Sequence, residues 1–267
     1  SVAGSEGDFL HLEYQGGDRL YLPVDRVNLV QKYVGGDGAK PLLDKLGSAT
    51  WERVKKKTKE SILSMAHELL QLYATRARNE SHAFSTDDPY YQEFEARFPF
   101  DETPDQQRAI DEVLADLGKA KPMDRLVCGD VGYGKTEVAM RAAFICAMEG
   151  KQVAVLVPTT VLAQQHTETF RKRFAGYPVR IESMSSFHTK RENDEVLARV
   201  KSGACDVVVG THRLLQADVD FARLGLLVID EEHRFGVKDK ERIKQMRKLV
   251  DVLTLTATPI PRTLAMS

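Results

Sequence analysis

Eight residues constrain this chain more than any others: Gly129, Asp130, Val131, Gly132, Tyr133, Gly134, Lys135 and Thr136. They fit G-x-x-x-x-G-K-[ST] and sit between a strand-like run, Leu126-Val127-Cys128, and a helix-forming run, Glu137 to Ala143. Glycines let the backbone curl so that successive N–H groups aim at phosphate oxygens, and the following helix adds the positive end of its dipole. In such a loop Lys135 reaches the β- and γ-phosphates and the Thr136 hydroxyl ligates Mg²⁺. The octapeptide predicts a site for a nucleoside triphosphate and Mg²⁺.

A second run points to hydrolysis. Leu226-Leu227-Val228-Ile229 reads as a buried parallel strand that delivers Asp230-Glu231-Glu232-His233 at its C-terminal end. Open α/β sheets place their ligands at that end. A strand-end aspartate is the usual second anchor for Mg²⁺ in P-loop enzymes, and a neighbouring carboxylate can orient or deprotonate water. Asp230 is therefore assigned to the metal and Glu231 to the attacking water, with Lys135 as the third catalytic group.

From residue 105 onward helices and strands alternate. Helices are expected over roughly 105–117, 135–149, 160–175, 189–202 and 237–249. Strands are expected at about 125–128, 153–157, 179–184, 206–209, 226–229 and 252–256. Such alternation argues a parallel sheet with helices on both faces, and with a P-loop that is a RecA-like fold.

Further runs occur in a fixed order around these. They are Phe100 to Gln106, Pro158 to His166, Gly210 to Leu215 and Thr254 to Pro259. The set resembles the first motor lobe of superfamily 2 helicases and translocases. The acidic box together with Thr-Ala-Thr-Pro-Ile-Pro-Arg-Thr is similar to the branch of the bacterial transcription-repair coupling factors and their branch-migrating relatives. The resemblance implies that the nucleotide is ATP and that Phe100 and Gln106 hold its adenine. It assigns Pro158, Thr159, Thr160, Thr211 and His212 to a DNA backbone, although in isolation these residues would read as plain helix capping. It makes Thr256, Ala257 and Thr258 the relay between nucleotide and DNA.

The same resemblance divides the chain into residues 1–50, 51–100 and 101–267. The first part shows apolar alternation either side of Gln15-Gly16-Gly17-Asp18, a hairpin signal, with a third strand expected from Val27 to Tyr33. It is similar to a CarD-like, Tudor-like module that grips the β subunit of RNA polymerase, with its leading strands replaced by Ser1 to Gly7. The second part opens with a helix over 51–79 whose buried face is expected to hold Ile62, Met65 or Ala66, Leu69, Leu70, Tyr73 and Ala77. Arg53, Lys55, Lys56, Lys57 and Lys59 read as its solvated face. A loop over 85–100 is expected to lead into the ATP-binding lobe. The second motor lobe of such proteins lies beyond Ser267, so a chain of this extent is expected to turn ATP over poorly.

Composition fits this reading. Hydrophobic residues make up 42%, charged residues 29%, and the formal net charge is −1, which excludes a disordered tail and a uniformly basic nucleic-acid binder. Cys128, Cys146 and Cys205 lack C-x-x-C spacing and read as small buried hydrophobes in a reducing compartment. With no run near the roughly 20 apolar residues of a membrane span, a cytoplasmic location without membrane contact is expected. The function the resemblance implies is an ATP-dependent double-stranded DNA translocase that displaces stalled RNA polymerase and promotes repair. A branch-migrating or strand-separating helicase is the alternative, and intact Lys135, Thr136, Asp230 and Glu231 argue against a non-catalytic adaptor.

Overall fold

The structure, a computed structural model, describes residues 8–30, 45, 49–247 and 250–257. The chain divides into two compact units, Ser1–Gln71 and Leu72–Ser267.

In the first unit, β1 (Phe9–Glu13) and β2 (Arg19–Pro23) form the expected antiparallel hairpin, with Phe9 opposite Pro23 and Glu13 opposite Arg19. Gly16 and Gly17 both lie at positive φ, 94° and 86°, a conformation that side chains with a Cβ resist, so the turn demands glycine at both places. His11 and Tyr21, directly opposite in register, stack at 5.2 Å. The expected third strand is instead a 3₁₀ turn over Val24–Leu29. Val24 and Val27 are three apart, the 3₁₀ repeat, and Asp25 and Asn28 are turn formers, so local preference overrides the apolar run. Residues 31–33 of that expected strand lie outside the described residues.

Helix α1 (Ala49–Arg78) contains the boundary between the units. Its basic residues Arg53, Lys55, Lys56, Lys57 and Lys59 are exposed as expected. Ile62 and Leu70, expected on a buried face, are 59% and 66% exposed, so that face is open at both positions. The side chains of Met65, Leu69, Tyr73 and Ala77 lie outside the description. Arg76, in the last turn, is buried and donates from Nη2 to the carbonyls of Met123 (2.6 Å) and Val250 (3.3 Å).

The second unit begins with a departure from expectation. Part of the predicted 85–100 loop is helix α2 (Pro89–Ala96), N-capped by Asp88, whose carboxylate accepts from the Tyr90 N–H at 2.8 Å. Pro89 at its first turn and the burial of Tyr91 and Phe94 complete the local signal. The remaining elements follow the expected alternation to within a few residues. They are α3 (Pro104–Leu117), β3 (Asp124–Cys128), α4 (Lys135–Met148), β4 (Gln152–Leu156) and α5 (Thr160–Arg173). After these come β5 (Ile181–Met184), α6 (Lys190–Ser202), β6 (Val207–Gly210), β7 (Leu224–Asp230), α7 (Val237–Met246) and β8 (Asp251–Thr256).

Strands β3 to β8 form one parallel sheet of order β3-β8-β7-β4-β6-β5. Its side chains alternate between two cores. Val153, Val155, Leu226 and Val228 pack with Phe94, Phe144 and Phe170 on the α2–α5 side. Ala154, Leu156, Leu227 and Ile229 pack with Val196, Val200 and Ile243 on the α6–α7 side. Burial of both faces is why these strands read as unbroken apolar runs.

One buried carboxyl stands at the opposite end of the strands from their loops. Asp251 opens β8, is 2% exposed and accepts the Met123 N–H at 2.5 Å. Burial pushes its pKa up to about 6, against the opposing pull of that hydrogen bond, Arg76 and His82. A raised carboxyl pKa means a contribution fully present below the unfolded value near 4 and lost as pH rises through about 6. At neutral pH the ionised group then costs up to roughly 3 kcal/mol. Asp251→Asn, which keeps the acceptor, is expected to raise the melting temperature at pH 7.5 by several degrees and to have a smaller effect at pH 4. Calorimetry at both pH values checks this, and a lowered melting temperature at pH 7.5 would refute it.

Candidate active site

The octapeptide lies where β3 leaves the sheet. The Gly129 N–H donates to the Thr256 carbonyl (3.1 Å), tying the start of the loop to the end of β8. Gly132 and Gly134 sit at φ 88° and 74°. Helix α4 starts on Gly134 with no side-chain cap, whereas Thr103, Thr159 and Thr189 cap α3, α5 and α6. The Glu137 N–H turns back to the Gly134 carbonyl (2.9 Å), which leaves the Lys135 and Thr136 N–H groups for an outside acceptor. Lys135 folds over the loop and donates from Nζ to the carbonyls of Gly129 and Asp130, the latter at 2.8 Å. Val131 and Tyr133 are exposed. Cys128 is exposed too, contrary to expectation, because β3 is an edge strand; Cys146 and Cys205 are buried, and burial raises both thiol pKa values.

Two strands along the same edge, β7 delivers the acidic box. Asp230 is its last residue, and its Oδ2 lies 3.2 Å from Nε2 of His166 on α5. Glu231 follows at φ 54°, ψ 54°, the one residue other than glycine at positive φ among those described. Such strain, of order 1–3 kcal/mol, persists where surroundings enforce it. Here the Glu231 N–H donates to Leu255 O (2.9 Å), and its Oε1 accepts the Ala257 N–H (2.7 Å). Its other oxygen, Oε2, lies 3.2 Å from Nδ1 of His233. Glu232 accepts from Arg247 Nη2 at 2.5 Å.

These donors and acceptors fit a magnesium–polyphosphate. An uncapped helix start and a lysine ammonium face phosphate charge, and a hydroxyl at Thr136 and a carboxylate at Asp230 are the hard oxygen ligands Mg²⁺ takes.

The start of α3 is fastened to the loop through Gln106. Gln106 forms a capping box with Thr103, its Oε1 accepting the Thr103 N–H (2.7 Å), while its Nε2 donates to the carbonyl of Tyr133 (2.8 Å). One amide hydrogen and one lone pair remain for a ligand. The approach is so close that a Cβ on Gly134 would lie 2.5 Å from Gln106 Nε2. Behind the loop, Arg141 of α4 is fully buried and paired with Glu95 (2.6 Å), Glu137 (3.1 Å) and Glu102, which precedes Thr103. Arg173 reaches Glu137 from α5 at 2.8 Å. Phe100 is 72% exposed, its ring edge-on to Phe98 at 5.5 Å and open for stacking.

The residues assigned to DNA lie at the ends of β4 and β6, neighbouring strands on the same sheet edge. Thr159 is exposed, and its hydroxyl caps the Leu162 N–H at 3.3 Å; Pro158 and Thr160 beside it are half-buried. Thr211 is 2% exposed, so of that pair His212 alone faces outward. The cause is local, since Thr211 starts a 3₁₀ turn that carries buried Leu214 and Leu215. Thr256 is buried at the end of β8 and Ala257 meets Glu231, while Thr258 lies outside the described residues.

Sequence reasoning missed His166, the Arg141 cluster and the left-handed Glu231. For His166 a signal existed: it falls seven residues after Thr159, two turns along one helix face.

Comparison with known proteins agrees with the geometry. Residues 103–267 match the DEAD/DEAH box helicase family and residues 1–34 match the CarD-like/TRCF RID domain. The chain is 60% identical over 266 residues to a transcription-repair-coupling factor of Myxococcus xanthus and 55% identical to that of Escherichia coli (strain K12). Both alignments cover 100% of this chain and only 22% and 23% of those proteins. A structure of RecG bound to a three-way DNA junction matches with a TM-score of 0.64 and 36% identity, over 77% of this chain and 27% of that one. No described helix is long and apolar enough to cross a membrane.

Lys135→Ala removes the ammonium without disturbing the core. With charge-assisted hydrogen bonds at about 1.5–3 kcal/mol each, losing two predicts ATP-analogue binding weaker by about 100-fold or more. The melting temperature is expected to stay the same. Fluorescence titration and a thermal melt check this, and unchanged affinity contradicts the assignment of the loop.

Proposed function

The chain belongs to the DEAD/DEAH box helicase family, and from that premise we propose that it is the first lobe of an ATP-driven double-stranded DNA translocase of the transcription-repair coupling type. In the whole protein this motor displaces stalled RNA polymerase and promotes repair in the cytoplasm. The observation that carries the motor reading is the Glu231–Ala257 hydrogen bond, which joins the acidic box to the segment after β8. A protein that only stored nucleotide has no need to couple its hydrolytic carboxylate to a separate strand end.

The bound magnesium nucleotide supplies the scissile phosphoanhydride and the cation that offsets its charge. The chain's own groups do the rest. The Lys135 and Thr136 N–H groups and the Lys135 ammonium hold phosphate oxygens, while Thr136 and Asp230 hold the metal. Glu231 accepts a proton from the attacking water. Phe100 stacks on adenine and Gln106 uses its remaining donor and acceptor there. Thr159, Thr160 and the Pro158 turn, with His212, meet the DNA backbone without reading bases. A net charge of −1 leaves such binding to a few local contacts rather than to a global field. Superfamily 2 motors close a second lobe over the nucleotide, and an arginine finger from it is worth about 10³–10⁵ in rate. These 267 residues taken alone are therefore proposed to bind ATP and to hydrolyse it slowly.

The β1–β2 hairpin is proposed to contact the polymerase β subunit, a reading supported by the match of residues 1–34 to the CarD-like/TRCF RID domain. The likeness to RecG favours branch migration as the second reading. A pull-down of this chain with the isolated β subunit separates the two: retention is expected, and its absence turns the balance to branch migration. In the full-length protein Glu231→Gln is expected to keep ATP binding and to lose about 10²–10⁴ in turnover, since an amide keeps the shape and cannot take the proton. Phosphate-release kinetics decide it, and near-normal turnover would move the proton acceptor elsewhere.

A further inference from the structure

We infer that His166 is a positioning residue that aims the Asp230 carboxylate at the metal and so links helix α5 to the nucleotide site; the inference rests on the motor reading above. Its Nε2 lies 3.2 Å from Asp230 Oδ2, and the two side chains are only 11% and 14% exposed. A hydrogen bond shielded from water in this way is costly to break, because neither partner finds a ready substitute. It holds one carboxylate oxygen and leaves Oδ1 for the cation. Metal-ligating carboxylates are commonly oriented by a hydrogen bond of this kind from a second residue.

What distinguishes His166 is the element that carries it. It stands two turns into α5, on the face of the helix that starts at Thr159, the exposed threonine proposed to meet the DNA backbone. Asp230 belongs to β7, which pairs directly with β4, the strand that leads into α5. The α5 helix is held within the lobe by buried Ala163 and Phe170, so it moves as a rod and not as a loose turn. A phosphodiester that shifts the start of α5 therefore shifts His166 against Asp230. By thermodynamic reciprocity, a metal-loaded nucleotide must bias the DNA-facing end of α5 by the same free energy.

The test measures equilibrium binding of a fluorescent ATP analogue to this chain in Mg²⁺ and in EDTA. A second titration follows a mixed-sequence labelled DNA duplex with and without the magnesium analogue. The variants are His166→Ala, His166→Gln and Asp230→Ala, each checked for an unchanged melt. His166→Ala is expected to weaken analogue binding in Mg²⁺ about tenfold, the low end for losing such an orienting partner, and to leave binding in EDTA unchanged. His166→Gln, whose Nε2 offers an N–H at similar reach, is expected to restore it. Duplex affinity should respond to the magnesium analogue in the wild type and in His166→Gln, and not in His166→Ala. Wild-type Mg²⁺ dependence in His166→Ala, alongside its loss in Asp230→Ala, overturns the inference and leaves the motor reading standing. Equal losses in Mg²⁺ and EDTA without rescue by glutamine also overturn it, since they mark a merely structural side chain. Retained Mg²⁺ dependence in Asp230→Ala overturns the assignment of the metal site itself.

Discussion

All six strands of the large sheet run the same way, and the placement of the phosphate loop, the acidic box and the proposed DNA-facing turns follows from that constraint. A parallel ladder sends each strand's C-terminal end to one edge, and most of the helices that follow begin there, with unpaired N–H groups and the positive end of the dipole. Lys135 follows β3, Asp230 ends β7, Thr159 follows β4 and His212 lies just beyond β6. Parallel strands also need crossover helices, which cover both faces and bury the strands whole. The two cores meet that need, with aromatic packing on one side of the sheet and mainly aliphatic packing on the other. Topology thus brings the phosphate loop, the acidic box and the proposed DNA-facing turns to a single rim before any of their chemistry is considered.

Two sets of contacts then hold the rim in register. On one flank, Arg141 is buried among three carboxylates, one of them from the segment that leads into Gln106. Arg141 is the partner these three carboxylates share, so the cluster ties the segment carrying Glu102 to helix α4. On the other flank, Glu231 is held in a left-handed conformation by hydrogen bonds from both its backbone and its carboxylate to the end of β8. Neither lock touches the phosphate positions directly. Both decide where the groups that do touch them can stand.

Much of this was legible in the sequence, because the signals were local. The octapeptide announces its own turn, strand and helix, and unbroken Val-Ile-Leu runs such as 226–229 mark strands buried on both faces. Helix α2 carried equally local signals, an Asp88 cap and a Pro89 start, and was outweighed by the loop-like composition around it. The exposure of Cys128 followed from the position of β3 at the sheet edge, and strand order is not written in any strand. The His166–Asp230 contact spans 64 residues and depends on β4 lying beside β7. Glu231 adopts positive φ with no glycine or asparagine to advertise it, since its neighbours impose the conformation. Thr211 shows the opposite failure: its type suits a backbone phosphate, yet the turn it starts draws it inside.

The close approach of Gln106 to Gly134 has a mechanical consequence. A Cβ at position 134 would stand 2.5 Å from Nε2 of Gln106, so the glutamine amide would have to swing aside, and the backbone there, at φ 74°, is one that L-residues resist. Substitution at 134 is therefore strained by its backbone, and Gln106 keeps its hydrogen bond to Tyr133 O only while position 134 is a bare Cα. Two residues 28 positions apart thus act as one mechanical joint: a side chain added at 134 would loosen the start of α3 from the phosphate loop as well as straining the loop itself.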